Sequence, residues 1–210
     1  MDRLRFEPAE AASADAAARL IYDTDPRLFD CFFENDYSRF LLFCTNQWRE
    51  QQSLYSFSNA TAAVVGEKLA GLELGYDRKG RDRAIPNMAK RTKDLLTPEA
   101  FSHYAKIGGY VRYLTPPIPN NAYYVMFLAT APEERGKGIG GKLLENAFDR
   151  ARGQGYDACH LDVASDNRAV RFYQSLGMEI LSESRVIPLE KMGVKSHFRM
   201  IKKLRNLKSS

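Results

Sequence analysis

The feature that most constrains this chain is a strand that runs into a glycine-rich turn. Ala122–Thr130 leads through Ala131–Arg135 to Gly136-Lys137-Gly138-Ile139-Gly140-Gly141. Tyr123, Tyr124, Val125, Met126, Phe127 and Leu128 form an unbroken run suited to a strand. Beyond the turn, Ile139, Leu143, Leu144, Ala147, Phe148 and Ala151 share one helical face, and Gly153 and Gly155 mark its end. The first turn of a helix leaves backbone N–H groups unpaired at the positive end of the dipole. Glycine removes the Cβ that would hold a ligand away. Together these make an anion site suited to a pyrophosphate, to which Lys137 would add charge.

Three readings compete for that turn. Gly136–Gly141 satisfies GxGxxG, a dinucleotide fingerprint, but in a dinucleotide fold the glycines follow the strand almost at once. Here five residues intervene, among them Pro132, Glu133 and Glu134. An acidic residue follows at a suitable distance, Asp162, yet it falls inside the next strand. The P-loop pattern fails because no Gly-Lys-Ser/Thr follows. A glycine-rich helix start with no ligand is the plain alternative. The chain continues with a strand at Ala158–Ala164, a helix at Asn167–Leu176 stopped by Gly177, and closing strands at Met178–Ile187 and His197–Leu204. That order is a βαβ pattern with at least one parallel pair.

The second half of this stretch narrows the choice. Arg135-Gly136-Lys137-Gly138-Ile139-Gly140 spells [Q/R]-x-x-G-x-[G/A], and Asn167-Arg168-Ala169 precedes Phe172-Tyr173 and Gly177-Met178. In order and at this spacing, Tyr123–Ile180 resembles the GNAT superfamily of acetyl-CoA-dependent N-acetyltransferases. The family places its Ala three residues after its Asn, whereas Ala169 stands two after Asn167, so Asp166 is an alternative anchor. The resemblance implies an α/β (α+β) fold, a mixed and mostly antiparallel twisted sheet whose central parallel strand pair splays into a V, flanked by helices. It implies a single domain over 1–210 with a variable insertion at about 77–121 on the acceptor side. It implies an enzyme that moves an acetyl group from acetyl-CoA directly onto an amine of a small molecule, peptide or protein. A catalytically silent acyl-CoA-binding regulatory module is the alternative.

Site residues follow from the same resemblance. Leu128, Ala129 and Thr130 would pair with the pantetheine arm. Backbone N–H groups from Arg135 through Gly136, Lys137, Gly138, Ile139, Gly140 and Gly141 would hold the pyrophosphate, and Asn167 would bond the CoA arm. Tyr173 matches the family's proton donor to the departing thiolate, although Phe172-Tyr173 equally fits an apolar helix face. For the general base the residues leave a choice: Glu73 on an early hairpin, His160 or Asp162 on the second strand, or water. Cys159 and His160 are neighbours in a strand and point to opposite faces, so Cys159 is expected to be buried and inert, with direct transfer.

The rest of the chain supplies the frame. Arg3–Glu7 reads as a first strand, Pro8–Asp23 as an Ala-rich helix, Pro26 as the start of another, and Asp36 as the cap of a third. Thr61–Gly66 and Leu69–Tyr76 read as an antiparallel hairpin. Asp77–Pro86 is charged and reads as a loop, followed by helices over Lys90–Leu96 and Pro98–Tyr113, the latter capped by Thr97. Leu28–Trp48 and Asp77–Asn121, with Tyr110 and Tyr113, are expected to shape the acceptor site, the second segment as a lid. No apolar run of the roughly 18–20 residues a bilayer requires is present, and three scattered cysteines fit a reducing, cytoplasmic setting without metal or disulfide framework. The formal net charge of +5 gathers at Asp77–Lys93 and in the tail at Lys202–Lys208, without the aromatic interleaving of a nucleic-acid reader. His197–Lys202 would offer an edge for a second copy, a homodimer.

Overall fold

The structure, a computed structural model, describes residues 3–205. Strand β1 (Leu4–Pro8) leads through a 3-10 turn at Ala11–Ser13 to α1 (Ala14–Tyr22), α2 (Pro26–Phe33) and α3 (Tyr37–Arg49). A hairpin of β2 (Ala60–Val65) and β3 (Lys68–Asp77) precedes α4 (Arg78–Leu95) and α5 (Pro98–Leu114). Then come β4 (Ala122–Thr130), α6 (Ile139–Gly153), β5 (Ala158–Ala164), α7 (Ala169–Ser175), β6 (Glu179–Ser184), α8 (Ile187–Glu190) and β7 (His197–Lys203). Side-chain caps fix several starts: Asp25 accepts from Leu28 N–H, Asp36 from Arg39 N–H, Asp77 from Gly80 N–H and Thr97 from Ala100 N–H.

All seven strands form one sheet in the order β1-β2-β3-β4-β5-β7-β6, antiparallel except for β4 and β5. The parallel pairing covers only Ala122–Val125 against Ala158–Leu161. Beyond it each strand stays with its outer partner: Thr130 is still opposite Gly71 of β3, and Ala164 is still opposite His197 of β7. The sheet therefore opens between β4 and β5 as a V. A bulge begins this opening, since Leu74 faces Phe127 and Gly75 faces Val125, leaving Met126 without a partner across the ladder. Gly75 is required there, because a Cβ would stand 2.5 Å from the Tyr123 hydroxyl.

The two faces of the sheet are covered differently. On one, Phe29, Phe33, Phe40, Phe43 and Trp48 from α2 and α3 pack on Leu72, Leu74 and Phe127. Each such side chain, fully buried, contributes about 1.5–3 kcal/mol. Trp48 also donates its Nε1–H to the Glu10 carbonyl at 3.0 Å, so its one polar atom is satisfied. On the other face, Leu144, Ala147, Phe148 and Ala151 of α6 pack on Val125, Leu161 and Met200.

Three expectations are corrected. Asp77–Pro86 is not a loop but the first turns of α4: Asp77 caps it, Ala84 is buried, and Ile85 and Met88 pack on the core. Pro86 sits within that helix, exposed, and withholds one N–H without ending it. The strand expected over Met178–Ile187 stops at Ser184, and Ile187 with Pro188 opens α8. Finally, β7 lies between β5 and β6, so His197–Lys202 has no free edge for a second copy; the sheet's edges are β1 and β6.

Candidate active site

The V opens over a cavity of about 670 Å³. At one end it is bounded by the lips of the V, with Leu128, Ala129 and Thr130 on β4 and Ala164 and Asn167 after β5. At the other it runs beneath helices from two parts of the chain, with Phe29 and Phe32 from α2, Ile85 and Met88 from α4, and Tyr104 and Val111 from α5. The backbone of β4 beyond Val125 has lost its neighbour on the β5 side, so an extended ligand can pair with it there as an added strand.

The glycine turn stands at the β4 lip. Gly136 and Gly138 have φ of 79° and 77°, and Gly138 is the N-cap of α6. The first helical bond runs from Lys142 N–H to the Gly138 carbonyl. Ile139, Gly140 and Gly141 thus present backbone N–H groups without helical acceptors. No atom lies within 4 Å of where a Cβ on Gly138 would stand, so the space is open and the left-handed φ alone demands glycine. Gly140 approaches β4 closely, since its Cβ would lie 3.2 Å from Thr130 Oγ1. Ile139 anchors the helix by its buried side chain, packed with Leu143 and Ala63. The open space, the free N–H groups and the positive end of α6 fit an anion such as a pyrophosphate.

Leu128, Ala129, Thr130, Arg135, Asn167 and Tyr173 all line the cavity, while Gly136–Gly141 lie outside it at the start of α6. The Arg135 side chain is engaged: Nε donates to the Thr130 carbonyl and the guanidinium pairs with Asp23 at 3.1 Å. Lys137 pairs with Glu134 at 3.0 Å on the surface. Asn167 accepts from Ala169 N–H at 2.9 Å, which starts α7 and orients its amide. Asp166, the alternative anchor, instead forms a two-point pair with Arg27 at 2.7 and 2.9 Å. Burial pushes the Tyr173 phenol up to about 12, so it holds its proton at any ordinary pH.

Glu73 does not reach the cavity. It faces α6, is 0 % exposed, pairs with Arg150 at 2.5 Å and accepts from the Tyr123 hydroxyl at 2.9 Å. Strand alternation explains this: Leu72 and Leu74 take the cavity side, and Glu73 takes the other. Its carboxyl serves a buried ion pair and cannot meet an amine. His160 is 3 % exposed, and burial followed by the field of Arg199 lowers its pKa to about 4, which leaves the ring neutral. Asp162 does line the cavity, held by Arg199 at two 2.7 Å contacts and by the Tyr124 hydroxyl at 3.0 Å. Cys159 is fully buried, and burial raises its thiol pKa far above neutrality.

Sequence reasoning missed a second layer of residues. Arg199 ties Asp162 to the carbonyls of Pro116 and Pro117, and so binds the linker after α5 to the sheet. The short turn between α1 and α2 spans the V: Asp23 holds Arg135 at the β4 lip, while Arg27 holds Asp166 and Asp25 meets His197 at 3.3 Å beyond β5. No local motif announces such pairs, because the partners lie from 37 to more than a hundred residues apart. Tyr110 and Tyr113 were expected near the acceptor, but Tyr110 packs beside Leu114 and Leu189 and Tyr113 is 73 % exposed. Among the described residues no cluster fit to hold a metal ion is present, and no helix is long and apolar enough to cross a membrane.

Residues 80–178 match the model of the Acetyltransferase (GNAT) family. The match takes in α5 and all but the first two residues of α4. No curated protein matches the sequence. Among solved structures the chain is similar to an N-acetyltransferase from Staphylococcus aureus Mu50, at 17% identity and a TM-score of 0.68, over 94% of this chain and 100% of that one. It is similar to the ribosomal-protein-S18-alanine N-acetyltransferase from Escherichia coli, at 14% identity and 0.57, over 99% and 98%. It is also similar to a Bacillus subtilis acetyltransferase in complex with CoA, at 15% identity and 0.52, over 97% and 100%. At such identities the likeness is one of fold.

Proposed function

Because residues 80–178 match the model of the GNAT acetyltransferase family, we propose that this chain is an N-acetyltransferase that moves the acetyl group of acetyl-CoA directly onto an amine. One observation carries the reading: the parallel pair opens after Val125 and Leu161 directly over the cavity, with the glycine turn at its lip. The pantetheine arm lies along Leu128–Thr130, the pyrophosphate sits on the N–H groups at the start of α6, and Asn167 bonds the arm from the far lip. The thioester carbonyl faces the backbone at the bulge, where N–H groups near Leu128 stabilise the oxyanion. The amine nitrogen bonds to the carbonyl carbon, the carbon–sulfur bond breaks, and Tyr173 gives its proton to the sulfur.

The general base is not Glu73. The carboxylates lining the cavity, Asp23, Asp25 and Asp162, each hold a cation or a helix start, so the amine loses its proton to water. Helices α4 and α5, from the segment Asp77–Asn121, roof the acceptor end.

Calorimetric titration with acetyl-CoA, with NADH and ATP as controls, tests this. We expect selective binding of acetyl-CoA, weakened about tenfold in Gly138→Val, where a β-branched residue meets a left-handed φ at a cost of about 1–2 kcal/mol. An amine screen with thiol detection follows. Binding without thiol release would favour the silent acyl-CoA module. Preference for NADH would mean that the turn serves a dinucleotide.

A further inference from the structure

The charges around the cavity do not balance. Three carboxylates line it, Asp23, Asp25 and Asp162, and all three are engaged. Asp23 holds Arg135, Asp25 caps α2 and meets His197, and Asp162 holds Arg199. Four arginines line the same space: Arg81, Arg112, Arg135 and Arg199. Two of them are thereby accounted for. Arg81, near the start of α4, pairs among the described residues with its chain neighbour Asp82 alone, at 3.6 Å. Arg112, near the end of α5, forms no ion pair among the described residues. Arg81 shares the lining of the cavity with Tyr76, at the end of β3 from which α4 starts.

Arg81 and Arg112 therefore leave positive charge at the acceptor end, away from Arg135 and the glycine turn. Between them the walls are apolar, from Phe29, Phe32, Ile85, Met88 and Val111. The sheet, α2, α4 and α5 all contribute walls to this space, and its volume of about 670 Å³ suits a small body. A guanidinium that lines a pocket and lacks a carboxylate partner is matched by a planar anion that takes two of its N–H groups at once. An extra cation there meets like charge.

Resting on the acetyl-transfer reading above, we propose that the acceptor is a small apolar amine that carries a carboxylate, and that Arg81 and Arg112 receive that carboxylate. The preference resides in KM rather than kcat, because the carboxylate is bound alike before and during transfer.

The test uses the full chain and thiol release with acetyl-CoA. Phenylalanine, leucine and methionine are each compared with the amine left when the carboxylate is removed, with rates referred to the neutral amine. Spermidine serves as a cationic acceptor. We expect kcat/KM to favour the acids by about ten- to a hundredfold, the effect of hydrogen bonds to a charged group. In Arg81→Gln and Arg112→Gln, which sit in partly or fully exposed positions, that ratio falls toward one through a rise in KM for the acids. Equal use of acid and amine, or preference for spermidine, would overturn the proposal while leaving acetyl transfer intact. An acid preference that survives in both variants would overturn the assignment to these arginines. Absence of both acetyl-CoA binding and thiol release with every amine would instead sink the acetyl-transfer reading beneath it.

Discussion

Replacing Arg150 by alanine probes the buried cluster that withdraws Glu73 from the cavity. Glu73 is wholly buried, and its stabilising partners are the Arg150 guanidinium at 2.5 Å and the Tyr123 hydroxyl at 2.9 Å. Breaking a buried pair from one side costs about 3–5 kcal/mol, because the other charge is left uncompensated. Arg150 keeps 37% of its side chain in solvent, which screens the pair, so the low end, about 3 kcal/mol, is expected. For a chain of this length that lowers Tm by about 6–12 °C. The sign with pH is distinctive. Burial raises the Glu73 pKa above its ordinary 4.5, against the pull of Arg150 and Tyr123. Its contribution is thus full below the unfolded value and is lost as pH rises through the folded one. Without Arg150 the folded pKa climbs further, so the deficit is largest near neutrality and shrinks on acidification toward pH 5. Urea unfolding followed by circular dichroism at pH 5 and pH 7.5 measures it. Glu73→Gln in the Arg150→Ala background should recover much of the loss, since it removes the orphaned charge. A deficit below about 1 kcal/mol, or one that grows in acid, would refute the account of the cluster.

Two further outcomes are expected. Tyr173→Phe should lower kcat by about a hundredfold or more with the KM for acetyl-CoA nearly unchanged, read by thiol release; with the phenol at about 12, no alkaline loss of rate from this group should appear below about pH 11. Cys159→Ala should keep its turnover, and intact mass spectrometry should show no acetyl adduct on the protein in the presence of acetyl-CoA, since the thiol is buried and holds its proton; a trapped acetyl-cysteine would point to a two-step route.

What the residues announced and what they withheld divide along the distance over which the information acts. The strand, turn and helix from Ala122 to Gly153 are specified locally, by β-forming side chains, positive-φ glycines and one apolar face, and they fold as read. So are the caps at Asp36 and Thr97 and the helix start at Pro26. Asp77–Pro86 misled because its charges signal a loop, whereas the helix is held by a cap and by Ala84, Ile85 and Met88 on the side that packs. Glu73 misled in another way. Its strand was legible, but the side it faces depends on Arg150, 77 residues on. Arg199 and Asp162 lie 37 residues apart on adjacent strands, and their meeting depends on β7 lying next to β5, an order no sequence window contains.

The turn between α1 and α2 also has a history in time. Its partners stand 112 residues later, at Arg135, and 139 residues later, at Asp166. At roughly 5–20 residues per second of synthesis, Arg27 waits about 7–28 s for Asp166 to be made. During that interval α1 and α2 can pack with α3 and the first hairpin, but their turn has no lip to hold until Arg135 is made, and only the β4 lip until Asp166 follows. The crossing over the V is therefore completed from the end made first by an end made last, and a chain released before Asp166 has one lip of its cleft and no tie across it.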